Sequence, residues 1–194
     1  MNKARLEAFS DGVIAVIITI MVLEMKVPHG TDTAALAPVL PVFLSYVLSF
    51  VYIGIYWNNH HHMFHAVQHV NGAVLWANLH LLFWLSLVPF VTGWMGENRF
   101  AAVPVAVYGL ALLGAAGAYT VLTRALLRIH PKDSLLARGL GRDIKGKISL
   151  VLYLAALGLA FVNAWIACGL YALVAAIWLC PDPRFEKLIA EGRA

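Results

Sequence analysis

The chain has 194 residues, of which 61% are hydrophobic and 12% are charged, and its formal net charge is +4. The charged share is about half that of an ordinary soluble domain, and one core of this size cannot hide so much apolar surface, which excludes a soluble globular protein. Two cysteines in or beside the last apolar stretch, Cys168 and Cys180, exclude a disulfide framework. The composition therefore predicts a polytopic membrane protein.

Six apolar segments follow one another along the chain, most of them near the length of about 20 residues that spans a hydrocarbon core. They predict an all-α fold with a single domain over residues 1–194. Its six transmembrane helices lie at about 6–24, 38–57, 72–93, 102–123, 148–162 and 165–180. The last apolar block is long for one helix and short for two, so we interpret it as a tight hairpin turning near Asn163; five spans remain the alternative. A cleaved signal peptide is disfavoured, because Asp11 interrupts the first run and no small-residue cleavage site follows it.

The basic residues predict the orientation of these helices. With six spans and a cytoplasmic N-terminus, 12 of the 14 Lys and Arg residues face the cytoplasm, and only Lys26 and Arg99 lie outside. Such a bias is typical of cytoplasmic loops, so both termini are predicted to be cytoplasmic, and no nucleic-acid partner is needed to explain the positive charge. The twelve residues are Lys3, Arg5, Arg124, Arg128, Lys132, Arg138, Arg142, Lys145, Lys147, Arg184, Lys187 and Arg193.

The first segment carries ionisable and hydroxyl side chains inside an apolar run. At about 100° per residue, a helix here presents one stripe and a separate face. The stripe contains Arg5, Phe9, Gly12, Val16, Thr19, Ile20 and Leu23, and the separate face contains Asp11, Ala15, Ile18 and Val22. A carboxylate within a membrane span is costly and marks function by default. Asp11 therefore needs a partner, for which His60, His61, Asn78 and His80 are the candidates. It serves either to hold helices together or to act directly in ion passage.

A histidine cluster lies at the end of the second segment. His61, His65 and His69 repeat every four residues and would share one helix face, a spacing that zinc can use. No Cys, Asp or Glu lies beside them, so a polar and pH-sensitive helix end at the membrane surface is the simpler interpretation. A regulatory metal site and metal transport both stay open.

The chain contains no pattern typical of an enzyme site. We find no nucleophile with its base and orienting group, no Gly-rich phosphate loop, and no Thr-Val-Gly-Tyr-Gly filter of the common potassium channels. The sequence therefore favours transport or conduction over catalysis. We predict that the protein is not an enzyme and that it uses no cofactor.

The motif Arg5-x-x-x-Phe9-Ser10-Asp11 at the start of the first helix resembles the signature of the transmembrane protein 175 family of potassium channels. Three further stretches resemble the family in the same order. They run from Ser49 to His61 in the second helix, from Asn78 to Phe90 in the third, and from Trp178 to Asp182 at the end of the last. The four motifs are distributed along most of the chain, from the first helix to the last.

The resemblance implies a bacterial single-repeat channel that assembles as a homotetramer, with the first helices lining the pore. Large apolar side chains there replace a carbonyl filter, and the matching constriction positions are Val16, Thr19, Ile20 and Leu23. The narrowest family position, often Ile or Leu, is Val16 here. The implied polar network between helices comprises Arg5, Phe9, Ser10, Asp11, His60, His61 and Asn78.

The predicted function is a weakly selective, potassium-permeable cation channel in the plasma membrane of a bacterium. Its partners are the lipid bilayer, monovalent cations with K+ as the permeant ion, and three further copies of the chain. A proton- or metal-coupled transporter that uses Asp11 and the His60–His69 cluster is the alternative. A non-conducting membrane scaffold is a third class, which would tolerate Val16→Ala and Leu23→Ala.

Overall fold

The computed structural model describes residues 3–134, 136–137 and 144–179, and within them the chain is helical with no strand. The all-α prediction is confirmed for these residues. The helices with described bounds are α1 (Lys3–Leu23), a short 3-10 helix (Thr33–Leu36), α2 (Leu40–His65), α3 (Gly72–Ser86), α4 (Val88–Glu97), α5 (Ala102–Ile129), α6 (Ile144–Leu159) and α7 (Ala164–Leu179).

Four helical stretches are long and apolar enough to cross a membrane: α1, α2, α3 together with α4, and α5. The third of them differs from the single helix predicted at 72–93, because it is divided at Leu87. Pro89 explains the division, since it has no N–H to donate and its ring collides with the carbonyl one turn earlier. The same proline is well placed in the first turn of α4, where its missing donor costs nothing.

Two helices continue past the ends that the sequence predicted. α2 ends at His65 rather than at residue 57, and α5 ends at Ile129 rather than at residue 123. Both extensions still bury large apolar side chains, namely Met63 and Phe64 in α2 and Leu126 in α5. Packing at the membrane surface therefore prolongs these helices beyond their apolar runs.

The last apolar block forms two helices of 16 residues each, α6 and α7. The chain reverses between them at residues 160–163, where the Asn163 side chain accepts a hydrogen bond of 2.9 Å from the Trp165 N–H. α6 begins four residues earlier than predicted, and Cys180 lies outside the described residues.

The buried residues form two clusters that share the long helix α5. The first joins α1, α3, the C-terminal ends of α2 and α5, and the valines at 67 and 70. The second joins α2, α4, the other half of α5, α6 and α7 around buried tyrosines. In it, the Tyr52 hydroxyl donates to Tyr171 O at 2.6 Å, and the Tyr171 hydroxyl donates to Val105 O at 3.2 Å. α1 belongs to the first cluster alone, so it lies at one side of the bundle.

Hydrogen bonds between helix ends show which ends lie together. At one end, the Lys3 ammonium donates to Phe64 O and Val67 O at 2.8 and 3.0 Å. His69 bonds Ile129 O at 3.1 Å at this same end. At the opposite end, Lys26 and Glu97 form an exposed ion pair of 2.8 Å, and the hydrogen bond from Lys26 to Glu97 raises the pKa of the lysine.

Two of the basic residues used to predict the orientation can be compared in the structure. Lys3, predicted to be cytoplasmic, and Lys26, predicted to be outside, lie at opposite ends of the bundle. Five of the residues predicted to be cytoplasmic, Arg138, Arg142, Arg184, Lys187 and Arg193, lie outside the described residues. The Pro181-Asp182 part of the last motif and the C-terminus also lie outside them.

Candidate functional site

α1 packs against the rest of the subunit through one narrow strip. Its buried residues are Leu6, Ser10, Ile14, Ile17 and Met21, which recur every three or four residues along one side. Most of the remaining helix surface is exposed, including Asp11 and Val22 on the second predicted face. The helix therefore has a wide surface that its own subunit does not cover.

The predicted constriction residues all lie on this uncovered surface. Val16, Ile20 and Leu23 are 55%, 40% and 79% exposed, and Thr19 is exposed as well. The Thr19 hydroxyl donates to Val16 O at 2.9 Å, so its proton is used within the helix while its oxygen can still accept. Four side chains that differ in shape thus form a contiguous and largely apolar stripe with one hydroxyl oxygen.

A groove of about 1020 Å³ runs between α1 and α4 beside this stripe. Val16 and Ile20 form part of its α1 wall, whereas Thr19 and Leu23 do not line it. The opposite wall is mainly apolar and consists of Ser86 at the end of α3 and of Pro89, Phe90, Gly93, Trp94 and Glu97 on α4. An apolar groove and an exposed apolar stripe on one helix are typical of a surface that packs against lipid or another subunit.

Three buried polar side chains attach the inner end of α1 to α2 and α3. The Asn78 amide donates to Ser10 Oγ at 2.9 Å, and its carbonyl oxygen lies 2.9 Å from His60 Nε2. Because an amide oxygen only accepts, His60 carries its proton on Nε2. Ser10 in turn donates to Leu6 O at 2.9 Å, so the chain of bonds ends on the backbone of α1. This network fixes the rotation of α1 about its own axis.

Asp11 is not part of this buried hydrogen-bond network, and its hydrogen-bond partner is none of the four candidates named from the sequence. Its carboxylate is exposed and accepts a 3.0 Å hydrogen bond from the indole N–H of Trp57 on α2. Ser10 lies on the buried strip of α1. Successive side chains of a helix point in directions about 100° apart, so Asp11 points away from Asn78. The indole N–H of Trp57, a donor that seeks an acceptor, is the signal in the sequence that could have identified this partner.

The other residues predicted for the network have different surroundings. His61 stacks on Trp57 with ring centroids 5.9 Å apart, and so it supports the Asp11 partner rather than Asp11 itself. His80 accepts a 3.0 Å hydrogen bond from Trp84 within α3. Arg5 and Phe9 are exposed, and within residues 3–134, 136–137 and 144–179 the structure shows no side-chain partner for Arg5.

The three histidines considered for zinc do not share a helix face. α2 ends at His65, so His69 lies in the following irregular segment, where it contacts Ile129 and His130 instead. His61 and His65 keep the helical spacing, with ring centroids 6.4 Å apart. Among the residues that the structure describes, no group of three potential metal ligands is found.

Comparison with known proteins gives one consistent result. The family model described as "Endosomal/lysosomal potassium channel TMEM175" matches residues 5–89, which contain nearly all of α1 and the whole of α2 and α3. A potassium channel of Chryseobacterium sp. (strain P1-3) is 54% identical over 192 residues, which is 99% of this chain and 100% of that protein.

A solved structure and a human protein extend the comparison. The crystal structure of a lysosomal potassium-selective channel TMEM175 homolog from Chamaesiphon minutus matches with a TM-score of 0.76 and 32% identity, covering 91% of this chain and 96% of that one. The endosomal/lysosomal proton channel TMEM175 of Homo sapiens is 36% identical over 86 residues, which cover 38% of this chain and 17% of the human protein.

Proposed function

The chain belongs to the TMEM175 family of potassium channels, and from this premise we propose that it conducts potassium through a pore lined by α1. The observation that carries the proposal is the exposed apolar stripe of Val16, Ile20 and Leu23 on a helix that its own subunit holds along one strip only. A pore-lining helix needs this combination, because it must be fixed on one side and open on the other.

The pore requires several copies of the chain. The stripe lies on the outside of one subunit, so a single copy cannot enclose it. Four copies around an axis would bring four α1 helices together and place equal residues at equal depth. The groove beside α1 and its second exposed face then become the surfaces between neighbouring subunits. The homotetramer is part of this proposal.

The constriction would act by excluding water. A ring of four apolar side chains can stop ions by dewetting, and a modest rotation or tilt of the helices opens it. Val16 is smaller than the Ile or Leu expected at the narrowest position, which predicts a less tight barrier. Thr19 oxygens one turn away would replace part of a cation's hydration shell. Because no carbonyl cage is present on this stripe, selectivity for potassium over sodium is weak.

The surrounding arrangement belongs to the same proposal. The chain would cross the plasma membrane of a bacterium six times, with both termini in the cytoplasm. The Lys3 end of the bundle then faces the cytoplasm, and the ion pair of Lys26 and Glu97 faces the outside. The network of Ser10, Asn78 and His60 then holds the inner half of α1 in register. Any opening rotation must stretch or exchange these bonds.

Proton passage is the second candidate, since the human relative is called a proton channel. That match covers 17% of the human protein, so it is too short to carry proton conduction over to this chain. A coupled transporter built on Asp11 and the histidines fits the geometry less well. Asp11 is exposed and bonded to Trp57, and the stripe itself carries no carboxylate.

Current across a planar bilayer tests the proposal, with purified protein, potassium on one side and sodium on the other. We expect a reversal potential displaced toward that of potassium, and a severalfold larger conductance or leak in Val16→Ala. Val151→Ala is the matched control, because Val151 is an exposed valine on α6 and lies on neither of the two exposed faces of α1. Equal effects of the two substitutions would contradict the pore position, and a flux driven only by a pH gradient would support the transporter.

A further inference from the structure

Two histidines join the segment after α2 to the end of α5 at the cytoplasmic side. His130 is 7% exposed, and its ring stacks on that of His69 with centroids 4.7 Å apart. His130 Nε2 bonds the backbone N–H of Gln68 at 3.2 Å, and His130 Nδ1 lies 2.8 Å from Leu126 O. We call residues 66–71 with His130 the histidine junction.

The hydrogen bonds of the junction fix the protonation state of His130. A backbone N–H only donates, so Nε2 must accept and carry no proton; a carbonyl only accepts, so Nδ1 carries the proton. The ring is therefore neutral in this arrangement. A second proton on Nε2 would face the Gln68 N–H, and the bond between them would be lost.

The ionisable groups around His130 carry both signs of charge. The ionisable group stacked directly on His130 is His69, which would be repelled if both rings were charged. At this end of the bundle the neighbouring elements also bring Lys3 and Glu7 of α1, which lie 3.9 Å apart. The remaining groups near the junction in sequence are His65 on α2, Arg128 on α5, and Lys132 and Asp133 just beyond it.

The junction is also connected to the first helix. The Lys3 ammonium donates to Phe64 O and Val67 O, and Val67 is buried in the same cluster as Leu6. The backbone between Val67 and Gln68 is thus held by α1 on one side and by His130 on the other. Movement of this segment away from α5 would change the support of the cytoplasmic end of α1.

We propose that His130 is a cytoplasmic proton-binding site that releases the 66–71 segment from α5 on acidification and so changes the support of α1. The closed junction binds no proton at Nε2, whereas the open junction can bind one. The closed form is therefore favoured at neutral pH and weakened as the pH falls.

Hydrogen–deuterium exchange of the full chain in lipid nanodiscs tests the junction without any current. Exchange in the 66–71 segment is compared at about pH 7.5 and about pH 5.5, on either side of ordinary histidine titration, after correction for the chemical rate. We expect protection of the Gln68 amide to fall at least about tenfold at the lower pH. His130→Gln should abolish the change, because its side-chain oxygen can accept from Gln68 but binds no proton.

The control is His29→Gln, which alters an exposed histidine at the other end of the bundle and should keep the full change. Unchanged protection of the natural chain between the two pH values would overturn the proposal, and so would a pH-dependent His130→Gln.

The effect on conduction rests on the proposed function. Cytoplasmic acidification should alter open probability severalfold in the natural chain and not in His130→Gln. A pH-dependent exchange with a pH-independent current would overturn the link to α1. Absence of all current would instead count against the proposed function, while the exchange measurement still decides the junction.

Discussion

α1 and α5 are both long apolar helices, but their surfaces serve opposite purposes. α5 buries twelve residues along its 28 and takes part in both core clusters, whereas α1 buries five of 21 and takes part in one. Both are strongly apolar, so composition does not distinguish them. What distinguishes them is how many sides a neighbour covers: α5 is covered on several sides, whereas α1 is covered along one strip, which leaves open the surface that we propose lines the pore.

The largest effect should come from truncating a buried side chain of α5. Leu122 on α5 is completely buried, and Leu122→Ala should cost about 2–5 kcal/mol of subunit stability because it leaves a cavity. Val16→Ala should cost little stability, since the side chain lies on an uncovered surface. Thermal unfolding of both variants in one detergent, followed by circular dichroism, measures the difference. Equal losses would mean that α1 is packed as closely as α5.

An intermediate effect is expected from two glycines on α5 itself. A Cβ on Gly109 would collide with the hydroxyl of Tyr171, a buried residue, so Gly109→Ala should cost about 1–3 kcal/mol by overpacking. A Cβ on Gly117 meets nothing within 4 Å, so Gly117→Ala should be neutral or stabilising by up to about 1 kcal/mol through helix propensity. The same unfolding measurement compares them. A destabilising Gly117→Ala in the assembled protein would reveal a contact made by another subunit.

The smallest effect should come from the bond between α1 and α2 at Asp11. Trp57→Phe removes the indole donor and should cost about 0.5–1.5 kcal/mol, because the pair is exposed. Asp11→Asn keeps an acceptor oxygen and should cost less. Trp76→Phe is the control, since Trp76 is 75% exposed and lies on α3. If Trp76→Phe lowered stability as much as Trp57→Phe, the bond to Asp11 would contribute nothing specific.

The helices were predictable because long apolar runs impose them. The predicted helix bounds differ from the structure where a local feature outweighs the apolar run. Pro89 divides the third predicted helix, and the burial of Phe64 and Leu126 prolongs the second and fourth predicted helices beyond their apolar runs. The proline was visible in the sequence, so this break could have been predicted. The extensions depend on neighbours that only the fold supplies.

The candidate site was predictable in its faces but not in its partners. A helical wheel places Val16, Ile20 and Leu23 together, and the structure leaves them exposed. The wheel does not tell which helix lies opposite Asp11, so Trp57 was missed. The zinc hypothesis required one helix face from His61 to His69, whereas α2 ends at His65, and Val67 and Val70 are buried in the segment that follows it. His130, more than 60 residues away, could not be connected with His69 from spacing alone.

The short hairpin of α6 and α7 has a consequence for the membrane itself. Sixteen helical residues rise about 24 Å, which is less than the roughly 30 Å of a typical hydrocarbon core. Phe161, Val162 and Trp165 are exposed at the tip between the two helices, where apolar side chains fit acyl chains better than water. In the six-span arrangement that we propose, the bilayer thins beside this corner or the flanking side chains snorkel, at a cost of fractions of a kcal/mol per Å. The stability of the protein in a membrane should therefore depend on lipid chain length, and thinner membranes should accommodate it best.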